Sequence, residues 1–491
     1  MNVNDLAPIL PELILTVLVL LVITVDLWLP RDLKWLLTPL TVAGLVLAGA
    51  ACIPVWGVNE TIFAGFYRVD DLSVFFKVVT VVSGILAALF GPAYLAQRRM
   101  PLGEFNVVLI FALLGMSVLA SSADLITLFI GLELMVLPAY ILTGFQKTDR
   151  YSNEGGLKYF LLGSFASAIL LFGISWTYGL TGSTHISAIG QGLSGAAGPA
   201  GVVAIGLLTV GATFKAAAVP FHYWTPDAYQ GAPTPITGFL SVGPKIGAFA
   251  LLVRIFADGL GAHGGDWFGV MAILAVVTMT GGNIVALTQT NVKRMLAYSS
   301  IAHTGYILAA LAAFAHVPAR NLLAQPDPRA EAIQAVLFYL LGYAVMNVAA
   351  FAVVGMLQRD PRRFGGLAGF SGLAGRAPLL AAGMAILLLS LTGIPPTVGF
   401  FAKLYVIIAT VDAGVAWLAV AIALNAALAA YYYLRVIVYM YMRDPEAEPA
   451  AIERSAFGSL ALTLSVVGVV VLGLLPEPIL TFVRSSVASL F

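Results

Sequence analysis

The sequence predicts an all-α membrane protein with fourteen transmembrane helices. Apolar residues make up 60% of the 491 residues, charged residues only 10%, and the mean hydropathy is +0.96. Soluble proteins are about 25% charged, so this chain could not cover its surface with polar groups in water. Apolar runs of about 20 residues, the length that crosses a bilayer as a helix, recur along the chain. Clusters of proline, glycine and charge separate these runs, as expected of short loops.

The composition also excludes several classes of function. The formal net charge of +1 gives no electrostatic basis for binding nucleic acid. The single cysteine, Cys52, excludes a disulfide framework and a thiolate cluster, and the five histidines are scattered along the chain. We therefore expect no metal site, no redox centre and no cofactor in this chain.

The predicted spans follow the apolar runs in chain order, and together they form a single membrane domain, 1–491. The first run ends at the Pro-Arg-Asp sequence of 30–32. Span seven meets Pro220, and span twelve is interrupted by the Gly-Ile-Pro-Pro sequence of 393–396. Proline removes a backbone donor and bends a helix, so both spans should be broken. The fourteen spans are 10–29, 35–55, 72–95, 104–121, 124–145, 157–179, 199–222, 232–256, 267–288, 293–315, 331–357, 379–411, 414–441 and 455–475.

The basic residues of the loops predict the orientation, because basic loops stay on the cytoplasmic side. The loops that follow odd-numbered spans hold fourteen lysines and arginines, against five on the opposite side. We therefore expect both termini on the outer side. The fourteen are Arg31, Lys34, Arg98, Arg99, Lys147, Arg150, Lys293, Arg294, Arg359, Arg362, Arg363, Arg376, Arg443 and Arg454, and the five are Arg68, Arg254, Arg320, Arg329 and Arg484.

Five of the eight lysines fall inside predicted spans, whereas no arginine is predicted at a span centre. A charge at the bilayer centre costs at least ~2.5–3.5 kcal/mol on insertion scales. Lysine, unlike arginine, can release a proton near neutral pH when it is desolvated. The pattern therefore favours proton exchange over static charge pairing. The five lysines are Lys77, Lys158, Lys215, Lys245 and Lys403.

Three of these lysines are the strongest candidates because each lies close to a proline that interrupts a helix. Lys215 comes five residues before Pro220, Lys245 follows Pro244 near the middle of span eight, and Lys403 follows the 393–396 break. Broken backbone is tolerated at membrane depth only where it meets protein or a water-filled cavity. We predict a proton site at each.

Two charged residues near the inner half of the spans have competing interpretations. Glu133 is predicted to be the deepest acid and would bias a neighbouring lysine, although a structural ion pair or a protonated carboxyl would also explain it. Lys158 is a weaker proton-site candidate, since Glu154, four residues earlier, offers an ordinary surface pair. Lys77 lies near the outer acids Asp70 and Asp71, and snorkelling explains it, so we leave it out of the site.

Two histidines complete the candidate site. His222 and His303 can relay protons because the usual pKa of histidine lies near neutrality. A lone buried histidine is also a common satisfied core group, so both interpretations remain open.

The two broken spans suggest an internal repeat. A lysine beside a broken helix in comparable positions of two halves is typical of inverted-repeat transporters. We expect the repeat units to be 104–256, which holds helices four to eight, and 267–441, which holds helices nine to thirteen.

Four segments carry a family resemblance. They are 131–133 (Gly-Leu-Glu), 215–235 (beginning Lys-Ala-Ala-Ala-Val-Pro-Phe-His), 291–306 (beginning Asn-Val-Lys-Arg-Met-Leu-Ala-Tyr) and 393–403 (beginning Gly-Ile-Pro-Pro-Thr). Together they resemble the antiporter-like membrane subunits of respiratory complex I, the bacterial NADH:quinone oxidoreductase. Lys403 favours the N-type branch over the M-type, which has glutamate there. The short segment after span fourteen favours it over the L-type, which continues into a lateral helix.

The resemblance implies a role for each matching residue and a fold of two inverted five-helix bundles with broken helices seven and twelve. Glu133 and Lys215 would form a coupling pair, Lys245 a central relay, and Lys403 a site on the exit side. This proton-translocating chain would contain no redox centre itself, since NADH, FMN, iron–sulfur clusters and quinone would bind other subunits.

The resemblance also implies the surroundings of the chain. Its neighbours would be M-like, K-like and J-like membrane subunits and the lateral helix of an L-like subunit, all within the lipid bilayer. The location would be the bacterial inner (plasma) membrane, with both termini periplasmic. Lys158 and His222 match further positions on the family's proton path.

Two alternatives remain open from the sequence. A subunit of a multi-subunit cation/proton antiporter or of a membrane-bound hydrogenase would share the fold and motifs. A non-transporting scaffold is the second alternative, although it would gain nothing from buried lysines.

Overall fold

Long helices lie where the apolar runs predict them. The structure is a computed structural model that describes residues 3–195, 198–317, 327–357, 366–445, 452 and 455–491. Within these residues twelve helical segments are long and apolar enough to cross a membrane, and two shorter apolar helices fall in the broken spans. The predicted fourteen-span fold is confirmed. The first six helices are α1 Leu10–Trp28, α2 Leu37–Ala50, α3 Asp71–Gln97, α4 Leu102–Ala120, α5 Leu125–Thr143 and α6 Arg150–Thr181.

The remaining helices continue this up-and-down path. Two of them, α7 and α18, are short helices that follow a span and lie outside the apolar runs, and the sequence did not predict them. The twelve helices are α7 Ile186–Gly195, α8 Pro199–Lys215, α9 Trp224–Gly231, α10 Thr234–Leu252, α11 Gly264–Thr288, α12 Val292–His316, α13 Pro328–Leu357, α14 Pro378–Thr392, α15 Val398–Asp412, α16 Ala416–Met442, α17 Ala456–Leu474 and α18 Glu477–Ala488.

Spans seven and twelve are both broken, as predicted. Span seven stops at Lys215 and resumes as α9, and span twelve stops at Thr392 and resumes as α15. Gly393 ends α14 in the left-handed conformation, with φ of 92°, and its N–H bonds the carbonyls of Leu389 and Ser390. Glycine suits this position because it has no Cβ to clash. The breaks therefore follow from the local proline and glycine chemistry.

The centre of the bundle is formed by α10, α12 and α13, whose residues are almost all enclosed by other helices. Helices α1, α2, α6, α16 and α17 each leave one apolar face open. In a bilayer such a face contacts lipid tails at no hydrophobic cost. Lys245 and Lys293 lie on these central helices, and the buried Lys215 and Lys403 lie on α8 and α15. All four ammonium groups are enclosed by protein and so are shielded from lipid.

The described residues form one two-stranded sheet. Strands β1 (Glu60–Ile62) and β2 (Tyr67–Val69) make an antiparallel hairpin just before α3. Asp70 caps α3 by accepting a hydrogen bond from the backbone N–H of Ser73. The same carboxylate accepts hydrogen bonds from Arg254.

Besides Arg329, which is 6% exposed at the start of α13, two basic residues that the sequence assigned to loops are buried. Arg254 is 1% exposed, lies in a π-helical turn, Val253–Gly259, that extends α10, and binds Asp70 at 2.6 and 2.8 Å. Lys293 is 5% exposed in the first turn of α12. Both predictions failed because hydropathy places a span end only within a few residues. Five other counted residues, Arg320, Arg359, Arg362, Arg363 and Arg454, lie outside the described residues, and the orientation stays a prediction.

Candidate functional site

Glu133 and Lys215 are connected through a serine. The Ser167 hydroxyl donates to Glu133 Oε1 at 2.5 Å, and the Lys215 ammonium donates to Ser167 Oγ at 2.8 Å. The three side chains come from α5, α6 and α8, so the contact depends on the packing of three helices. The prediction that these two residues approach each other is consistent with this arrangement. Ser167 was not predicted, because nothing in the sequence marks one serine of an apolar helix.

Lys215 itself is buried at the point where α8 ends. Its ammonium also lies 3.2 Å from the carbonyl of Gly163 and 3.4 Å from the Tyr140 hydroxyl. Gly163 has no side chain, and a Cβ there would meet the Tyr140 hydroxyl at 2.1 Å. The glycine therefore gives the ammonium and the phenol access to the α6 backbone.

Glu133 is less enclosed by protein than three other acids, and its depth in the membrane stays a prediction. Its side chain is only partly buried, whereas Glu12, Asp70 and Asp124 are buried. Depth in the bilayer and enclosure by protein are different quantities, and hydropathy reports only the first. Glu133 lies on a helix at the side of the bundle, and Asp70 and Asp124 are enclosed at helix starts.

Lys245 lies in the middle of α10 and bonds a single residue of α12. Its ammonium donates to the Ser300 hydroxyl at 2.7 Å and to the Ser300 carbonyl. The aromatic ring of Tyr343 lies 5.1 Å from the same nitrogen, within range of a cation–π contact. Lys245 is buried, as predicted.

Thr304 connects the environment of Lys245 with the break after Lys215. Its hydroxyl donates to the carbonyl of Ala216 at 2.7 Å and lies 3.3 Å from the carbonyl of Ser300. The Ala216 carbonyl belongs to the broken backbone, and the Ser300 carbonyl accepts from Lys245. One threonine on α12 thus lies between the two lysine sites.

His303 is buried beside Lys245. Its Nδ1 lies 2.7 Å from the Tyr339 hydroxyl and its Nε2 lies 3.1 Å from the Tyr433 hydroxyl. Its ring lies 4.9 Å from that of Tyr343, the ring nearest Lys245. Both ring nitrogens have partners, so the geometry fits a satisfied core histidine as well as a relay.

Lys403 occupies the second break. Its ammonium donates to the carbonyls of Leu391 and Thr392 at 2.9 and 2.7 Å, which are carbonyls at the end of α14. The last carbonyls of a helix have no partner within it and carry a partial negative charge. The ring of Tyr306 lies 5.2 Å from the ammonium and 5.7 Å from the ring of His303. His303 therefore lies between the aromatic neighbours of Lys245 and Lys403.

Lys158 lies in a half-exposed ion cluster. Its side chain is 44% exposed and pairs with Glu154 at 2.6 Å and with Asp227 at 2.8 Å. Asp227 also accepts from Arg294 at 3.0 Å. The prediction that Lys158 is enclosed was wrong, because α6 begins at Arg150, seven residues earlier than predicted. The surface pair left open by the sequence is present, and a role in proton transfer stays a prediction.

His222 lies in the segment between α8 and α9. It is partly buried, and its ring stacks on Tyr223 with centroids 4.8 Å apart. Within the described residues its buried Nδ1 has no hydrogen-bond partner. An unpartnered buried nitrogen usually binds water, which suits the predicted relay.

Lys77 was wrongly predicted to snorkel. It is 1% exposed and pairs with Glu12 of α1 at 2.9 Å. The sequence could not reveal the partner, because Glu12 lies 65 positions earlier in an apolar run. Lys77 is thus a paired charge, in contrast to the buried lysines of the site.

The arrangement has the groups needed to hold and pass protons. Among the described residues no group of three histidines, cysteines or acids could bind a metal ion. Lys215, Lys245 and Lys403 are bound by hydroxyls and carbonyls. These acceptors tolerate both an ammonium and a neutral amine.

Comparison with known proteins gives a consistent family. Residues 122–429 match the family model described as NADH:quinone oxidoreductase/Mrp antiporter, TM. NADH-quinone oxidoreductase subunit N of Trichlorobacter lovleyi is 40% identical, with 98% of this chain and 97% of that protein covered. The subunit N of Myxococcus xanthus is 42% identical, with 99% and 98% covered.

A solved structure shows the same architecture. A chain of respiratory complex I from Thermus thermophilus with bound aureothin superimposes with a TM-score of 0.81. It is 32% identical, and the match covers 96% of this chain and 98% of the other. The match therefore extends beyond residues 122–429.

Proposed function

This chain belongs to the NADH:quinone oxidoreductase/Mrp antiporter family as a member of its NADH-quinone oxidoreductase subunit N group, and we propose that its protons pass along Glu133, Lys215, Lys245 and Lys403. The chain is an antiporter-like, proton-translocating membrane subunit of an oxidoreductase complex. What is proposed is the residue path.

The observation that carries the proposal is the set of acceptors around the three lysines. Each ammonium is buried, and each is held by hydroxyl or carbonyl oxygens. A lysine held for charge pairing would have a carboxylate beside it, as Lys77 has in Glu12. Neutral acceptors support the proposal because they bind the protonated and the deprotonated forms alike.

Coupling begins at Glu133. If this carboxylate moved to within 4 Å of the Lys215 ammonium, the pair would gain roughly 4 kcal/mol at an effective dielectric of 20. That gain corresponds to a proton affinity about a thousandfold higher, which is enough to load or unload Lys215. Ser167 holds the two groups apart yet connected, so a small shift of α5 would change this interaction.

The proton then moves along the centre of the bundle. Thr304 and Ser300 connect the break after Lys215 to Lys245, and His303 lies on the way to Lys403. We assign His222, which lies in the segment between α8 and α9 and whose buried Nδ1 has no hydrogen-bond partner among the described residues, to water-assisted transfer there. Lys158 would act at the inner edge of the same half.

The repeat units are also part of the proposal. We place the first at 104–256 and the second at 267–441, because each contains one broken span with a lysine at the break. Lys215 and Lys403 would then be equivalent sites, one in each half. Lys245, on the last helix of the first unit, would join them.

The rest of the complex would supply the driving reaction. We propose that NADH oxidation, FMN, the iron–sulfur clusters and quinone reduction belong to other subunits, and that this chain contributes no redox group. M-like, K-like and J-like subunits and the lateral helix of an L-like subunit would be its neighbours. Its location would be the bacterial inner membrane with both termini periplasmic.

The test uses the intact complex in membrane vesicles. Lys215→Ala and Lys245→Ala should each lower proton pumping at least tenfold, because general acid–base groups contribute 10²–10⁴-fold to proton transfer. Lys147→Ala is the matched control, since Lys147 is an inner-side lysine whose side chain is 83% exposed. NADH oxidation, proton pumping and the amount of each subunit are measured together. Full pumping by both buried-site variants would overturn the proposal and favour the scaffold alternative.

A further inference from the structure

A fifth lysine, Lys293, is buried at the predicted inner end of the bundle. It lies in the first turn of α12, is 5% exposed, and its ammonium donates to the carbonyl of Ala232. Among the described residues, no carboxylate forms an ion pair with this ammonium. A buried charge without a counter-charge is costly, so its retention calls for an explanation.

The surroundings of Lys293 connect it to the inner surface. Arg98, at the end of α3, and Asp149, the residue that caps α6, are the charged groups that act on it. The next residue, Arg294, pairs with Asp227 and Gln230 and belongs to the Lys158 cluster. Asp149 is partly exposed, so one of the charges that act on Lys293 reaches the surface.

Lys293 and the acceptor of Lys245 share one face of α12. Ser300 follows Lys293 by seven residues, which is two helical turns or about 10 Å along the axis. Residues seven apart point in nearly the same direction. Lys293 thus lies two turns below the serine that binds Lys245.

Polar atoms fill part of the distance between the two lysines. The Ala232 carbonyl that accepts from Lys293 lies 3.3 Å from the Thr237 hydroxyl, which also lies 2.8 Å from the carbonyl of Tyr229. The Tyr229 hydroxyl donates to the carbonyl of Leu240 at 3.0 Å. These groups follow the start of α10 toward Lys245.

We propose that Lys293 takes up protons on the inner side and passes them to Lys245. The Lys293 ammonium would release its proton through the Thr237 and Tyr229 region to the neutral amine of Lys245. A proton from inner water then restores the Lys293 ammonium, so one proton enters for each one passed on. This inference rests on the proposed function, since it requires Lys245 to exchange protons.

The experiment compares Lys293→Arg, Lys293→Met and the control Lys147→Met in inside-out membrane vesicles. Arginine keeps the positive charge but does not release a proton, so Lys293→Arg separates proton transfer from charge. We expect both Lys293 variants to pump about tenfold more slowly than the parent at pH 8. The deficit should shrink toward pH 6, where water supplies protons more readily, and Lys147→Met should match the parent.

The outcomes distinguish this inference from the proposed function. Full pumping by Lys293→Arg from pH 6 to 8 would overturn the role of Lys293 as a proton donor. If Lys245→Ala still abolished pumping, the proposed function would survive that result. If neither Lys293→Arg nor Lys245→Ala slowed pumping, both the proton-donor role of Lys293 and the proposed function would be overturned. The subunit content of the purified complexes identifies any variant that does not assemble. Because Lys293→Arg keeps the positive charge, it should assemble even if Lys293→Met does not.

Discussion

Neutral acceptors surround the ammonium groups of Lys215, Lys245 and Lys403. A lysine that has lost its proton still carries two N–H donors, so it can continue to donate to a hydroxyl or carbonyl. A carboxylate neighbour would instead favour the charged form strongly. At the scale of one residue, the acceptors therefore fit a group that alternates between two protonation states.

Ser167 is the first residue whose removal tests this view. Its hydroxyl bonds both Glu133 and Lys215, and a hydrogen bond to a charged group is worth about 1.5–3 kcal/mol. Ser167→Ala should therefore slow pumping about tenfold while NADH oxidation and assembly are less affected. Ser167→Thr, which keeps the hydroxyl, is the control. Normal coupling in Ser167→Ala would show that the contact is not used.

Site residues could be predicted from the sequence where a nearby proline indicated a helix break. Lys215 and Lys403 stand out in the sequence because prolines lie near them, and both proved to be buried at breaks. Lys293 and Lys77 were misjudged, because their burial depends on neighbours that are distant in sequence. Ser167, Ser300 and Thr304 carried no signal, since hydroxyl residues are common in membrane helices.

At the scale of elements, each helix break places a lysine near a backbone carbonyl that has no hydrogen-bond partner within its own helix. At the end of α14 the freed carbonyls bind Lys403, and after α8 the carbonyl of Ala216 accepts from Thr304. An unbroken helix would consume these carbonyls in its own hydrogen bonds. The breaks therefore create binding capacity for cations in the middle of a membrane.

The short helix α9 offers a pH test at this scale. Burial raises the pKa of Asp227, but hydrogen bonds and charges from Lys158 and Arg294 outweigh burial and hold it below its usual value of 3.8. A carboxyl with a lowered pKa adds stability above its usual pKa, and that stability is lost as the pH falls through the lowered value.

Asp227→Asn should therefore lower the thermal unfolding temperature of the purified complex at pH 7. The loss should be roughly 1–2 °C, since exposed ion pairs contribute about 0.2–1 kcal/mol each. The difference from the parent should narrow below pH 3.8, where the parent carboxyl becomes protonated. A difference that stayed constant from pH 7 to pH 3 would contradict the role of the charge.

The spans themselves were predictable because the bilayer acts on each apolar run separately. A run of about 20 apolar residues has to form its backbone hydrogen bonds internally, whatever its neighbours are. The short helices α7 and α18 escaped prediction, since neither is long enough to cross and both lie outside the apolar runs. Span ends moved by several residues at α6, which changed the interpretation of Lys158.

At the scale of the whole molecule, paired charges lie at the edge and unpaired lysines at the centre. Arg68 of β2 binds Asp258 at 3.1 Å and the carbonyl of Ser489 at 2.8 Å, and Arg254 binds Asp70. These contacts join segments as much as 421 positions apart. No sequence pattern predicts such pairings, because they depend on the tertiary arrangement of the helices.

The pair between Glu12 and Lys77 tests this division between structural and functional charge. Removing one member of a buried pair leaves an uncompensated charge and costs about 3–5 kcal/mol, whereas replacing both members is often neutral. Lys77→Met should therefore reduce the amount of assembled subunit, and Glu12→Gln combined with Lys77→Met should restore most of it. Pumping per assembled complex should stay at the parent level in the double variant, because the pair joins α1 to α3, outside the proposed proton path. A double variant that assembles but does not pump would place Lys77 among the proton carriers and would extend the path into the first three helices.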